Sequence, residues 1–391
     1  MPDEADAHLR LLGEAVERRA SDLHVDPLID GYQIHLRVDG LLRPHRSLAR
    51  RDGERLVNQF KAASGIETGT VFTPLGVRRK FRVVDRDIDC RLTLAPCISG
   101  PKLALRLLDP ERVRHRIEGL GLHETGLDRF RDWLTTLNGM FLVSGPTASG
   151  KTTTLYALLH EMAEENRHVV TIEDPVEYEI DGINQIQVDP RHGVDFAAGV
   201  RTILRLDPDL AMVGEMREPE AARAAIGAAV AGHVILATIH ARDAVSSVTA
   251  LRNFGLADHQ IASALGVVVN QRLVRRLCPE CRGEGEFSPA EVEWLTAKGW
   301  EIPERAWRAS PDGCGRCSRS GYFGRIGLFE VWNTDEGDYE LLLAGADEET
   351  LRDRLERTGH TTLWRDAAEK IGRGITSFAE VRRLGLALPW D

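Results

Sequence analysis

A glycine-rich stretch in the middle of the chain has the spacing that binds phosphate. SGPTASGKTTT contains Gly145, then Gly150, Lys151 and Thr152, in the P-loop pattern G-x-x-x-x-G-K-T. Glycines let backbone N–H groups curve around a phosphate, and the helix predicted to begin near Thr152 adds its positive end. Lys151 would neutralise the β- and γ-phosphates, and the Thr152 hydroxyl would coordinate Mg²⁺. The residues predicted to contact the nucleotide are Gly145, Pro146, Thr147, Ala148, Ser149, Gly150, Lys151, Thr152 and Thr153.

Two acidic residues follow apolar runs downstream of this loop. VVTIEDPVEYE places Glu173 after a run that Pro175 ends, and DPDLAMVGEMRE places Glu215 directly after LAMVG. Acids at the carboxyl ends of such strands can hold Mg²⁺, and a glutamate there has the reach to polarise an attacking water. A helix N-cap or a surface charge is the alternative for each acid. The P-loop upstream favours the catalytic interpretation.

A histidine stands at each end of the run AGHVILATIH, His233 before it and His240 after it. Residues seven apart would share a helix face, but the β-branched run between them is typical of a buried strand. On a strand, an odd separation places the two imidazoles on opposite sides. Two hydrogen-bonded core histidines are the alternative to a functional pair.

The chain has six cysteines, four of which form two CxxC pairs, Cys278/Cys281 and Cys314/Cys317. Two such pairs can close a tetrahedral Zn²⁺ site, and four thiolates leave no open position, which predicts a structural metal. A redox pair is the alternative. We interpret the separate Cys90 and Cys97 as small buried apolar residues.

Length and composition restrict the class of protein. The 391 residues are 42% hydrophobic, which suits two or three domains with packed cores. The formal net charge of −10 argues against a protein whose main partner is bulk nucleic acid. The N-terminal stretch is charged throughout, and no run approaches the roughly 18 apolar residues of a membrane span. We therefore expect a cytoplasmic protein whose membrane association, if any, is peripheral.

The pattern of elements predicts five segments. Residues 1–108 alternate apolar and arginine-rich positions, as in a small α+β domain, and the polar residues 109–126 suit a linker. Residues 127–275 alternate strand and helix patterns, which predicts βαβ units and a mostly parallel sheet. Residues 276–330 contain the cysteine pairs, and residues 331–391 have helical patterns.

These motifs together resemble one family, the secretion ATPases of type II secretion and type IV pilus machines. The resemblance runs from about Ala20 to the end of the chain. It rests on ASDLHVDP, LRVDGLLR, GPTASGKTTTLYALL, TIEDPVEY, ILRLDPDLAMVGEMRE, AGHVILATIH, NQRLVRRLCPEC and GCGRCSRSGYFGRIGLFEV, in the family's order and spacing. It implies an α/β fold, with a RecA-like P-loop ATPase domain after a small PAS-like α+β domain. A tetracysteine zinc element and a helical C-terminal tail would follow.

The resemblance also implies roles for the residues above. The protein would be a homohexamer that binds ATP, Mg²⁺ and structural Zn²⁺, with the N-terminal domain closing over the nucleotide. Glu173 matches the family's aspartate box, and Glu215 matches the catalytic Walker-B glutamate. His233 and His240 match the histidine box, which would relay the nucleotide state to the neighbouring subunit.

Several arginines are candidates to sense or stabilise phosphate. DIDCRLTLAP resembles the family stretch that carries such an arginine, which nominates Arg91, and Arg106 is the second candidate. Arg201, Arg205 and Arg217 lie beside the acids in sequence and would be sensors or ion-pair partners.

The function that the resemblance implies is ATP hydrolysis that powers assembly of a pseudopilus or a pilus. The partners would be platform and docking proteins of the inner membrane, at its cytoplasmic face. Retraction motors of the family generally lack the four cysteines, which favours assembly or secretion. A nucleic-acid motor is one alternative, against which stand the net charge and the lack of an aromatic-studded basic groove. A nucleotide switch without hydrolysis is the other, and the set Lys151, Thr152, Glu173 and Glu215 argues against it.

The sequence departs from the family pattern in three places. Ala148 stands where the P-loop usually has glycine, and ARDA, with Ala241 and Arg242, replaces the usual TNDA after the second histidine. We expect the second change to alter coupling between subunits. The sequence also starts almost at the nucleotide-covering domain. We therefore expect the docking domain of many members either to lie outside this sequence or to be replaced by another mode of docking.

Overall fold

The computed structural model describes residues 6–69, 73–83, 85–108, 115–163, 167–297 and 302–384. The chain divides into two compact units, Met1–Val113 and Arg114–Asp391. Within the predicted linker, residues 109–114 lie outside the described ones, and a 3₁₀ turn spans Ile117–Leu120. Along the described stretches, every helix is too short or too polar to cross a membrane.

The first unit is an antiparallel sheet with two helices. Its strands are β1 (Ala20–Pro27), β2 (Gly31–Val38), β3 (Leu41–Ala49), β4 (Leu75–Val83), β5 (Arg86–Cys97) and β6 (Gly100–Leu108), in the order β3-β2-β1-β6-β5-β4. The helices are α1 (Ala7–Glu17) and α2 (Arg50–Ala63). Alternate apolar residues such as Leu23 and Val25 are buried, together with Leu12 and Phe60 of the helices. This alternation explains the α+β pattern of the sequence.

A row of arginines crosses three neighbouring strands of this sheet. Arg78 on β4 is opposite Arg91 on β5, which is opposite Arg106 on β6. Like charges in such a row repel each other. Two aspartates offset part of the charge, because Asp89 Oδ2 lies 2.8 Å from Arg78 Nη2, and Asp22 Oδ1 lies 3.4 Å from Arg106 Nε.

The two separate cysteines differ in burial. Cys90, in the middle of β5, is fully buried, as its interpretation as a small apolar residue predicts. For Cys97 the prediction is wrong, because this residue is exposed at the end of β5, next to the turn into β6.

The second unit is built on a seven-stranded sheet. Its strands are β7 (Met140–Ser144), β8 (Val169–Glu173), β9 (Asn184–Gln187), β10 (Leu210–Val213), β11 (Val234–Ile239), β12 (Leu265–Leu277) and β15 (Tyr322–Asn333), in the order β15-β12-β7-β11-β10-β8-β9. All neighbouring pairs are parallel except the β12–β15 pair at one edge. The fold confirms the predicted α/β class with a mostly parallel sheet.

Helices cover this sheet, and a small hairpin belongs to the cysteine element. The helices are α3 (Glu124–Thr136), α4 (Lys151–Ala163), α5 (Phe196–Ile203), α6 (Pro219–Val230), α7 (Ala244–Asn253), α8 (Asp258–Ala264), α9 (Pro289–Ala297), α10 (Glu336–Leu343), α11 (Glu348–Arg357), α12 (Leu363–Gly372) and α13 (Phe378–Arg383). The hairpin pairs β13 (Gly283–Gly285) with β14 (Ala306–Arg308). All five residues of β7 are buried, which is typical of a strand covered on both faces.

The insertion between the cysteine pairs shares a hydrophobic core with the last helices. The buried members of this core are Val274, Leu295, Leu328, Leu363, Ala367, Ile371, Phe378 and Val381. Trp294 of α9 makes edge-to-face contacts with Trp364 and Phe378. The domain boundary that the sequence predicts at residue 330 falls within β15. This strand leads from the cysteine element to the edge of the large sheet.

Leu295 offers a test of this shared core. Leu295→Ala should lower the free energy of unfolding by about 2–5 kcal/mol, because a fully buried leucine leaves a cavity. Urea unfolding followed by tryptophan fluorescence would measure the loss. Thr296→Ala changes the exposed neighbour on the same helix and serves as the control. Equal midpoints for the two variants would contradict the packing.

Candidate active site

The P-loop joins the end of β7 to the start of α4, as the sequence predicts. Gly145 (φ +146°) and Gly150 (φ +93°) have backbone conformations that favour glycine. A Cβ at Gly145 would lie 2.5 Å from the Gln271 carbonyl oxygen. Lys151 Nζ donates to the carbonyl oxygens of Gly145 (2.9 Å) and Pro146 (3.1 Å). The lysine charge is therefore held within the loop, where burial lowers its pKa.

Ala148 occupies a position of this loop where the backbone conformation favours glycine. Its φ is +62°, in the left-handed region where glycine is favoured over residues with a Cβ. The departure from the usual glycine therefore falls where the side chain adds backbone strain, on the order of 1 kcal/mol.

Glu215 and His240 meet beside the P-loop. Glu215 lies two residues beyond the end of β10, and His240 directly follows β11. His240 Nε2 contacts Glu215 Oε1, and His240 Nδ1 lies 3.1 Å from the Gly145 carbonyl oxygen. Arg217 binds the other carboxylate oxygen of Glu215 at 2.5 Å and lies 3.8 Å from Asp174. The end of each of these strands thus supplies a polar group to the same edge of the sheet.

Glu173 occupies a different environment from Glu215. Its carboxylate is buried at the end of β8, with 3% of the residue exposed. It accepts hydrogen bonds from Thr171 Oγ1 (2.6 Å) and Gln185 Nε2 (3.1 Å), and a short one from the Tyr156 hydroxyl. Burial raises the pKa of Glu173 even though these donors act in the opposite direction. Asp174 is the more exposed acid of the pair.

The remaining predicted residues lie at several places. His233 is at the opposite end of β11 from His240, with Nδ1 3.3 Å from the Ala228 carbonyl oxygen. Thr152 is exposed at the first turn of α4, and Arg201 and Arg205 are exposed in and after α5. The Arg242 side chain lies 3.4 Å from Glu348 of α11, so the ARDA departure makes an ion pair with a C-terminal helix.

The four predicted metal ligands come together. One Sγ atom from each of Cys278, Cys281, Cys314 and Cys317 lies within 4.8 Å of all the others. The Cys278–Cys314 and Cys281–Cys317 pairs are 3.7 and 3.8 Å apart. Tetrahedral Zn²⁺ with Zn–S bonds of about 2.3 Å places its sulfurs about 3.8 Å apart, so the ligand set fits this ion.

Backbone donors support a thiolate in this cluster. The N–H groups of Cys314 and Gly321 lie 3.1 and 3.2 Å from Cys317 Sγ. Burial opposes ionisation, but these donors and the neighbouring cysteines lower the pKa of Cys317 to about 6. Metal ligands of this kind must be deprotonated, and hydrogen bonds to sulfur favour that state.

Sequence reasoning did not single out the polar residues beneath the site. Asn270, Gln271 and Arg272 on β12 contact the P-loop or the residues after His240. They are all buried. The available signal was a polar triplet, NQR, directly after the apolar run LGVVV.

The second unit has a mostly parallel sheet and a P-loop between β7 and α4. An acid, Glu215, follows β10, which is separated from β7 by one strand in the sheet. These features define a P-loop ATPase. The chain belongs to the family described as type II/IV secretion system protein, whose model matches residues 6–383. This confirms the resemblance found in the sequence.

Named relatives agree with this membership. The type II secretion system ATPase E of Vibrio cholerae is 38% identical over 374 residues, which cover 96% of this chain and 74% of that protein. The type IV pilus assembly ATPase PilB of Thermus thermophilus is 36% identical, over 95% of this chain and 42% of that protein. The fold is also similar to that of the Legionella pneumophila ATPase DotB, with a TM-score of 0.71, 22% identity and 98% of both chains covered.

Metal removal should destabilise the cysteine element and the helices that share its core. A strong chelator, or Cys281→Ser, should lower the thermal midpoint, because the metal's binding free energy is part of the folding free energy. Thermal melts alongside a zinc assay would measure both effects. Cys97→Ser changes an exposed cysteine outside the cluster and should leave metal content and midpoint unchanged. Identical melts with and without chelator would refute a structural metal.

Glu330, on β15 opposite Asn270, should make stability depend on pH. Burial, followed by repulsion from Asp243, raises the pKa of this carboxyl from 4.5 to about 8. Between these values the unfolded chain releases a proton that the folded chain keeps, so this group's contribution to stability is lost as pH rises. The slope is at most about 1.4 kcal/mol per pH unit. Urea unfolding from pH 5 to 8 should show a smaller fall for Glu330→Gln than for the exposed control Glu336→Gln.

Proposed function

We propose that this chain hydrolyses Mg²⁺-ATP as a homohexamer and powers assembly of a pseudopilus or a pilus. The observation that carries the proposal is the contact of His240 with both Glu215 and the P-loop carbonyl of Gly145. It brings a candidate base, a coupling residue and the phosphate loop to one edge of the sheet.

In this proposal the loop N–H groups and Lys151 bind the phosphates, and the Thr152 hydroxyl helps to hold Mg²⁺. Glu215 orients the attacking water and accepts its proton. Phosphate entering the loop would draw Lys151 away from the carbonyl oxygens of Gly145 and Pro146. His240, which faces one of these carbonyls, then senses whether the loop is filled.

Glu173 and Asp174 would have supporting roles next to the Mg²⁺ ion. Two of the three donors on the Glu173 carboxylate, Tyr156 and Gln185, come from other elements, so this acid also fixes the end of β8. Arg217 pairs with both Asp174 and Glu215 and would offset the repulsion between these two acids until Mg²⁺ binds. His233, at the far end of β11, would face the neighbouring subunit.

Arginines of the first unit are the candidates that the family resemblance gives for contacting the phosphates. Arg91 and Arg106 lie opposite each other, with Arg78 beside them, so this face has a concentrated charge that phosphate would neutralise. Closure of the unit over the nucleotide would bring one of these arginines to the γ-phosphate. Arg201 and Arg205, exposed at and after α5, would act as sensors or pair with acids of a neighbouring subunit.

The names of the relatives support the proposed type of machine. Those with 36–38% identity are named for type II secretion and for type IV pilus assembly. We place this ATPase at the cytoplasmic face of the inner membrane, bound to platform and docking proteins of such a machine.

ATP turnover per subunit, measured over a wide range of protein concentration, tests the proposal. Turnover should rise steeply with concentration if sites are shared between subunits. Glu215→Gln should lower kcat by about 10²-fold or more, because it removes the base. Glu218→Gln, an exposed glutamate just before α6, is the matched control and should retain activity.

Two results would contradict the proposal. Turnover that is low and independent of concentration would argue against shared sites in a ring. Strong stimulation by DNA would favour a nucleic-acid motor instead of a secretion ATPase.

A further inference from the structure

Three consecutive polar residues follow the apolar first part of strand β12, directly beneath the P-loop. Asn270, Gln271 and Arg272 are 0%, 2% and 9% exposed. Asn270 is opposite Ser144, the last residue of β7, in the parallel register. Polar groups this deeply buried cost stability unless they are hydrogen-bonded, so their partners indicate what they do.

Asn270 and Arg272 connect the end of β7 to the residues that follow His240. Asn270 Nδ2 donates to Ser144 Oγ at 2.8 Å and to the Ala241 carbonyl oxygen at 3.3 Å. Arg272 Nη1 donates to Asn270 Oδ1 at 2.9 Å, which fixes the orientation of that amide. Arg272 Nη2 donates to the Arg242 carbonyl oxygen. Arg272 and Asn270 together thus hold the end of β7 and residues 241–242, two segments that are far apart in sequence.

The same residue lies against the P-loop. A Cβ added at Gly145 would be 3.3 Å from Arg272 Nη1, so the guanidinium packs beneath this glycine. Gln271 contacts the other end of the loop. Its Oε1 accepts a hydrogen bond from Thr154 Oγ1 at 2.7 Å, and its Nε2 lies beneath Gly150. The triplet therefore supports the loop at both of its ends, Gly145 and Gly150.

We propose that Arg272 is a positioning residue for hydrolysis, which with Asn270 holds residues 240–242 against the P-loop so that His240 reaches Glu215. This inference rests on the proposed function, in which Glu215 acts on the attacking water. Arg272 itself does not touch substrate. Its loss should therefore reduce turnover more than nucleotide binding, since a displacement of about 1 Å at a catalytic group can cost 10²-fold.

Arg272→Lys keeps the charge but cannot donate to both Asn270 Oδ1 and the Arg242 carbonyl. It should lower kcat about tenfold or more, with KM for ATP and the Kd of a fluorescent ATP analogue within about threefold of wild type. Asn270→Asp keeps the size of the side chain but removes both amide N–H donors. It should lower kcat in the same way, although the change is at a different residue. Amide hydrogen exchange at residues 240–246 should be faster in both variants.

Arg275→Lys is the matched control. Arg275 is a largely buried arginine on the same strand, but it pairs with Glu380 of α13, not with the P-loop. It should leave kcat and exchange at residues 240–246 unchanged. Equal kcat losses in Arg272→Lys and Arg275→Lys would mean general destabilisation, and wild-type kcat in Arg272→Lys would also overturn the proposal.

The exchange measurement separates this inference from the proposed function. A wild-type chain without turnover would refute hydrolysis. Faster exchange at residues 240–246 in Arg272→Lys, with exchange unchanged in Arg275→Lys, would still support the positioning role. Unchanged exchange in both Arg272→Lys and Asn270→Asp would refute it.

Discussion

The complete burial of β7 is the constraint on which the rest of the second unit depends. A strand covered on both faces must pair its backbone with neighbours on both sides, which β11 and β12 provide. Its side chains are apolar until Ser144, so polar chemistry begins only where the strand ends. The P-loop stands at that point, and the parallel neighbours bring their own ends to the same edge.

In the proposed mechanism, the Gly145 carbonyl oxygen connects nucleotide binding to catalysis at this edge of the sheet. It accepts from Lys151 and faces His240, whose other nitrogen contacts Glu215. We propose that a phosphate that withdraws Lys151 would change the electrostatic environment of His240 and, through it, of Glu215. The strand β12 keeps these groups in register through buried hydrogen bonds, which are stronger and more directional in a dry interior than at the surface.

The cysteine element is joined to the ATPase sheet through two of the sheet's strands. Strand β12 runs from the residues beneath the P-loop to Leu277, directly before Cys278, and β15 returns from Tyr322 to the same sheet. The insertion and the last helices pack into one hydrophobic core around the two strands. A metal held by four thiolates would thus stabilise β12 and the edge strand β15 of the ATPase sheet as well as its own loops.

The sequence by itself determined the features that lie within one short stretch. The P-loop, the acid after β10 and the cysteine pairs are recognisable because their residue types and spacing are local, and the family resemblance supplied the wider architecture. Only the tertiary structure decided which distant groups meet. Glu173 is enclosed by Tyr156 of α4 and Gln185 of β9, and Arg272 of β12 lies beneath Gly145, because helix packing and strand pairing bring these elements together. Cys97 shows the limit of composition alone, since its exposure follows from its place beside a turn.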